Sequence, residues 1–308
     1  MKELHERVTL VGFGLMGAQI AQVFAQNGIN VLAFDVDDKS LAKGLSLIKS
    51  GRYGLEAGEK KGRITHEEAS AALARVSITD SLDRALSGAE FVLEVAIEDL
   101  SAKRKIFQEA ASKSSPNSIL ASNTSTLSIS KIGEGLSSPE ARERLAGMHF
   151  FNPPQLMKLV EVVKTRDTRE DIVYSIRAVA ERLGKTPVTV VDYPGFIANR
   201  IGISVFAEAS DLLAKGVANV RDIDLSMRLG YGYPMGPFEL GDLVGLEARL
   251  RNMEALFAET GEEKFRPPEI LRRLVSEGYL GDPKTKPGSK GGYYEYFRLA
   301  RPSSQGAS

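Results

Sequence analysis

Apolar residues fall into short runs in the first two thirds of this chain and into helical spacing in the last third. Residues 8–11 form a β-rich run, residues 18–26 read as a helix stopped by Gly28, and residues 31–34 form a second run. No charge occurs from residue 8 to residue 34, a length that could cross a membrane. Glycines, Gln19, Gln22, Gln26, Asn27 and Asn30 interrupt it at intervals that suit strand, helix and strand instead. Further runs at 76–79, 91–95, 119–122 and 146–150 alternate with helical segments, which predicts a doubly wound, mostly parallel sheet. Between residues 39 and 74 the chain is helical and charged, an insertion before the third strand, with Thr65 and Glu68 spaced as a capping box. Residues 157–163 read as a buried strand, 169–183 as a helix and 187–191 as a strand.

Asp192, Tyr193, Pro194 and Gly195 break the pattern, and every later segment is helical: 196–215, 219–229, 246–258 and 268–277, with a Gly/Pro-rich turn at 230–237. The expectation is an α/β domain over 1–192, a smaller all-α domain over 193–300 and a disordered tail over 301–308. The helical part holds more apolar positions than it can bury alone, which predicts a shared interface.

Composition narrows the function. With 308 residues, 43% hydrophobic and 26% charged, the chain has the makeup of a soluble two-domain protein. Lys plus Arg and Asp plus Glu number 40 each, so nothing suggests a nucleic-acid or membrane-surface partner. The absence of cysteine excludes disulfides, a thiolate nucleophile and a Cys-ligated metal, and three scattered histidines argue against zinc. Residues 1–7 lack the charge pattern of a secretory signal, and a cytoplasmic location is expected.

Gly12, Phe13, Gly14, Leu15, Met16 and Gly17 make G-x-G-x-x-G between a strand and a helix, and Asp35 ends the next strand 18 positions after Gly17. Such a unit holds a pyrophosphate on backbone N–H groups and a ribose on the acid. Val36, Asp37 and Asp38 follow with no arginine to meet a 2'-phosphate, so NAD is expected over NADP. Other polar groups fall at strand ends: Glu98 with Lys103, the segment Asn123, Thr124 and Ser125, and His149. The first pair suits a cofactor contact or, equally, the start of a surface helix, and the second reads as a substrate or nicotinamide contact ahead of a simple cap for a helix near Ser128. Glu161 interrupts an apolar run and needs a partner, for which His149 is the candidate. His66 reads as an exposed helix-start residue; Lys60, Lys61 and Arg63 suit either a solvated face or an anionic ligand. Gly184, Lys185 and Thr186 resemble the end of a phosphate loop, but Val179 stands where that motif needs glycine.

Taken in order, G-F-G-L-M-G at Gly12, S-N-T-S at Ser122, G-M-H-F-F-N-P-P at Gly147, M-K-L-V-E-V-V at Met157, P-G-F-I-A-N-R at Pro194 and G-Y-G-Y-P-M-G-P-F-E-L at Gly230 closely resemble the L-3-hydroxyacyl-CoA dehydrogenases. The resemblance implies His149 as general base, Glu161 as its orienting carboxylate, Ser125 and Asn199 near the reacting oxygen, and Asn152 beside the histidine. It also implies ligand contacts for Glu98 and Lys103, a short acyl-CoA substrate and a homodimer formed through the C-terminal helices. Residues 281–296 are longer than the family's usual pattern there. Related dehydrogenases that rely on a lysine after an interdomain G-x-x-x-N fit less well, since Arg200 follows Asn199. Gulonate- and carnitine-type relatives, which keep the His and Glu, and a non-catalytic dinucleotide-binding protein are the alternatives.

Overall fold

The computed structural model describes residues 6–301. His5 and all of the expected tail except Arg301 lie outside those residues. The chain divides into two units, Met1–Phe196 and Ile197–Ser308.

In order, the first unit contains β1 (Arg7–Val11), α1 (Leu15–Gln26), β2 (Asn30–Phe34), α2 (Asp38–Ser50), α3 (Leu55–Lys60), α4 (His66–Ala74), β3 (Val76–Thr79), α5 (Leu82–Leu86) and β4 (Phe91–Glu94). It continues with α6 (Leu100–Lys113), β5 (Ile119–Ser122), α7 (Ile129–Gly133), α8 (Pro139–Glu143), β6 (Leu145–Phe150), β7 (Leu159–Lys164), α9 (Glu170–Arg182) and β8 (Thr186–Val191). One sheet joins the strands in the order β3-β2-β1-β4-β5-β6-β7-β8. Strands β1 to β6 are parallel, as the alternating pattern predicts. The order reverses between β1 and β4, which opens a crevice at their carboxyl ends.

The uncharged run at 8–34 resolves into β1, α1 and β2, and among the described residues no helix is long and apolar enough to cross a membrane. β4 and β5 are buried along their whole length, which is why they read as short apolar runs without alternation. The charged stretch between β2 and β3 forms α2, α3 and α4, two of which pack on α1. Thr65 and Glu68 make the expected capping box, and His66 in the first turn is exposed, 2.9 Å from Glu59. β7 pairs with β6 antiparallel. The eight residues 151–158 that join them are too few for a parallel crossover, so the chain must turn back. β8 then lies parallel to β7.

The second unit is helical: α10 (Ala198–Ala214), α11 (Val220–Tyr231), α12 (Pro237–Val244), α13 (Leu246–Thr260), a 3-10 turn (Glu263–Phe265), α14 (Glu269–Ser276) and α15 (Tyr293–Tyr296). α12 begins where the Gly/Pro-rich turn ends, with Pro237 in its first turn, a helix that the sequence reading passed over. The unusual segment at 281–296 ends in α15, which delivers the fully buried Tyr293 and Tyr294 to a core with Phe206 and Phe238. Two buried carboxylates hold it there: Asp242 accepts from the Tyr293 N–H at 2.8 Å, and Asp224 from the Tyr294 hydroxyl at 2.8 Å.

Candidate active site at the carboxyl edge of the sheet

The turn after β1 is shaped by contacts that exclude side chains. Gly12 has φ +104°, and a Cβ there would come within 2.6 Å of the Val95 carbonyl oxygen. Gly17 lies against the Gly12 carbonyl oxygen, 2.0 Å from where its own Cβ would be. Gly14 differs, because a Cβ on it would meet nothing within 4 Å. Gly14 is also the N-cap of α1 and makes no side-chain cap, so the first N–H groups of that helix lack intrahelical partners. Open space over unsatisfied N–H groups and a helix dipole fits a pyrophosphate. Leu15 and Met16 open α1 beside it. Asp35, at the end of β2, accepts from the N–H of Phe13 and of Val36, each at 2.8 Å. Its carboxylate thereby ties the turn to the strand where a ribose would rest.

Two glutamates organise the ends of β4 and β5. Glu94, fully buried, accepts from Lys103 Nζ at 2.6 Å, Ser122 Oγ at 2.6 Å and the Ala96 N–H at 2.6 Å. The sequence reading missed it, although a glutamate closing the apolar run Phe91–Glu94 poses the same question as Glu161. Lys103, expected beside the cofactor, is only 1% exposed, and its ammonium is held by Glu94 and, at 3.4 Å, by Glu98. It is an internal strut, and any influence on a ligand passes through Glu98. Glu98 accepts from Thr124 Oγ1 at 2.6 Å, from the N–H of Ser125 at 3.0 Å and of Thr126 at 3.1 Å, and from Thr126 Oγ1 at 3.0 Å. Burial alone would raise its pKa, but the Lys103 charge and these donors outweigh it and hold the carboxyl below the ordinary glutamate value. One carboxylate thus fixes the backbone that carries Ser125.

Antiparallel pairing of β6 with β7 sets His149 directly across from Glu161. His149 Nδ1 lies 2.9 Å from Glu161 Oε2, with the two residues 4% and 1% exposed. The rings of Phe151 and Phe196 stand 4.5 Å and 5.6 Å from the imidazole. A buried carboxylate beside Nδ1 favours the tautomer that carries its proton on that nitrogen, the arrangement in which Nε2 keeps its lone pair. Asn123 Oδ1 accepts from the Phe150 N–H at 2.8 Å and so joins the loop after β5 to the residue following His149. Asn152 is exposed in the loop after β6. Asn199 sits in the first turn of α10, in the second unit.

A glycine turn at the sheet's reversal point, an acid ending β2 and a carboxylate-oriented histidine at the same edge define a dinucleotide-dependent oxidoreductase. Residues 7–193 match the model for the 3-hydroxyacyl-CoA dehydrogenase NAD binding domain, and residues 195–295 match that for the 3-hydroxyacyl-CoA dehydrogenase C-terminal domain. The chain is 37% identical over 291 residues to a probable 3-hydroxybutyryl-CoA dehydrogenase of Bacillus subtilis, covering 94% of this chain and 97% of that protein. It is 36% identical to the mitochondrial hydroxyacyl-coenzyme A dehydrogenase of Sus scrofa, covering 96% of this chain and 92% of that protein. Among solved structures it is similar to an (S)-3-hydroxybutyryl-CoA dehydrogenase from Ralstonia eutropha, with TM-score 0.83, 38% identity, and 91% and 96% of the two chains covered. The chain belongs to the 3-hydroxyacyl-CoA dehydrogenase family. It is accordingly an NAD-dependent oxidoreductase acting on 3-hydroxyacyl-CoA.

Proposed function

We propose that the preferred substrates are L-3-hydroxyacyl-CoAs of short acyl chain, 3-hydroxybutyryl-CoA first among them, oxidised reversibly to the 3-oxoacyl-CoA. The buried His149–Glu161 pair carries the reading of the chemistry. His149 Nε2 takes the proton of the 3-hydroxyl, and Glu161 offsets the charge that appears on the ring while holding it in one orientation. Bound NAD would supply the acceptor for the hydride that leaves C3 as the C3–O bond becomes a carbonyl. Ser125 and Asn199 hydrogen-bond the substrate oxygen as its charge changes, with Asn152 alongside. Gly12, Gly14, Leu15, Met16, Gly17 and Asp35 hold the dinucleotide, and Glu98, Lys103 and Asn123 shape the loops around it. NAD is preferred to NADP because Asp35 with Asp37 and Asp38 repels a 2'-phosphate.

The reading includes a cytoplasmic location and a homodimer formed through the second unit. Support for the dimer comes from that unit's exposed apolar side chains, among them Ile201, Leu229, Tyr231 and Leu243.

The test follows absorbance at 340 nm with acetoacetyl-CoA, longer 3-oxoacyl-CoAs, gulonate and carnitine in parallel. Activity should be highest on the shortest thioesters and absent on the free acids. His149→Gln should fold, bind NADH and lose at least about 10²-fold in kcat, the lower end for general acid-base catalysis. A fully active His149→Gln sinks the assignment.

A further inference from the structure

The loop that carries Ser125 is gripped at two ends. Glu98 holds its upper part through Thr124, Ser125 and Thr126. Its foot, where the loop enters α7, is held by Asp192. That carboxylate accepts from Ser128 Oγ at 2.7 Å, the Ile129 N–H at 3.1 Å and the Ser130 N–H at 2.8 Å. The three bonds join residues 62 to 64 positions apart in the chain. Helix stability does not call for them, because α7 has only five residues and already has its own cap, Ser128 Oγ accepting from the Lys131 N–H at 3.1 Å.

Asp192 follows β8 and opens the segment that leads to the second unit. Four residues on, Phe196 is held at φ +50°, a left-handed conformation that costs a bulky side chain, and places its ring 5.6 Å from the His149 imidazole. Phe196 also shares a buried cluster with Ile129, at the start of α7, and with Val163 and Val190 of β7 and β8. A single short segment therefore touches the Ser125 loop at one end and the histidine at the other.

We propose that Asp192 is a positioning residue for the reaction: its carboxylate sets the height of the Ser125 loop, and the 192–196 segment is the common frame that keeps Ser125 in register with His149. The inference rests on the roles assigned above to His149 and Ser125. Losing the carboxylate frees the foot of the loop while Glu98 still holds its top, so Ser125 shifts without the loop unfolding. A displacement of about 1 Å at a catalytic group can cost on the order of 10²-fold in rate.

The experiment compares wild type, Asp192→Asn, Asp192→Glu and His149→Gln for acetoacetyl-CoA reduction, for NADH affinity by fluorescence and for thermal midpoint. Asp192→Asn replaces one acceptor oxygen by a donor facing N–H or O–H groups that also donate. It should lower kcat about tenfold, well within that 10²-fold range, and change NADH affinity far less, since the glycine turn and Asp35 that hold the dinucleotide follow β1 and β2. Asp192→Glu, which keeps the carboxylate, should recover much of kcat. A lowered melting temperature with kcat intact at temperatures where the variant is folded would mean a structural cap only and would overturn the proposal, as would equal losses for the Asn and Glu variants. An active His149→Gln would instead remove the underlying reading, so the two failures are distinguishable.

Discussion

Gly14 and Gly17 stand three residues apart where the turn after β1 runs into α1, and the space around each gives them different tasks. At Gly17 the obstacle is the backbone carbonyl of Gly12, which cannot rotate away. Gly17→Ala should therefore strain the turn and destabilise the first unit by about 1–3 kcal/mol, as overpacking does. At Gly14 the protein itself offers no obstacle. Gly14→Val should melt like the wild type yet bind NADH more than about tenfold more weakly, a loss of roughly 1.4 kcal/mol. Thermal unfolding and NADH titration of both variants check this, and a Gly14→Val that binds NADH normally would remove the assignment of that space to the pyrophosphate. His149 and Glu161 show the opposite case, in which two side chains matter because they meet each other. Their 2.9 Å contact depends on strand register, and a slip of one residue would turn both side chains to opposite faces.

Helices α11, α12 and α15 meet around two carboxylates that water does not reach, Asp224 and Asp242. Burial pushes each up to about 6, against the pull of the N–H and O–H groups bonded to them. The unfolded chain gives up these protons near 3.8 and the folded one near 6, so the folded state binds more protons in between. The stability these groups confer therefore falls as pH rises from about 4 to about 6, by up to about 3 kcal/mol each at 1.36 kcal/mol per unit. Glu98 in the first unit has the reverse sign: held below 4.5, it stabilises above that pH and the contribution is lost on acidification. Hydrogen exchange at pH 5 and pH 7, corrected for intrinsic rates, should show α11, α12 and α15 better protected at pH 5, with no such gain in the loop at 122–130. Asp224→Asn should flatten the slope and also cost about 1–3 kcal/mol, because Oδ2 serves both the Glu239 N–H and the Tyr294 hydroxyl. An unchanged slope would mean that Asp224 is ionised throughout. Elements of this kind also mark how far the sequence could be read. The strands β1, β2, β4, β5 and β6 were legible because buried parallel strands read as near-continuous apolar runs, and the glycine turn because its motif lies between a strand and a helix. Glu94, Asp192 and Asp224 were not, since what makes each important is a partner supplied by a distant element. α12 was masked by the Gly/Pro-rich turn that starts it, and α15 by a glycine-rich approach.

For the whole molecule, the second unit leaves apolar surface that its own core does not use. Leu229 and Tyr231 at the end of α11 are 72% and 77% exposed, and Leu240, Leu243 and Val244 of α12, which packs on α11, are also exposed. α10 adds Ile201. Single exposed apolar residues are ordinary, but several on adjoining helices mark an interaction surface. A second copy of the chain is the partner proposed, because a two-fold interface needs only one self-complementary patch. A stable interface buries roughly 800 Å² from each partner and derives much of its affinity from a few large side chains near its centre. Tyr231 and Leu229 are the candidates for that centre. Replacing both by aspartate would place charges where the partner offers apolar surface, a cost of several kcal/mol if they become buried. Leu229→Asp with Tyr231→Asp should therefore sediment as a monomer at concentrations where the wild type sediments as a dimer, and NADH affinity should stay the same because Gly12 to Gly17 and Asp35 belong to the first unit. If the wild type itself is monomeric at micromolar concentration, or the double variant remains a dimer, the interface lies elsewhere or does not form. A dimer that dissociates with NADH binding intact would place assembly in the second unit and cofactor binding in the first.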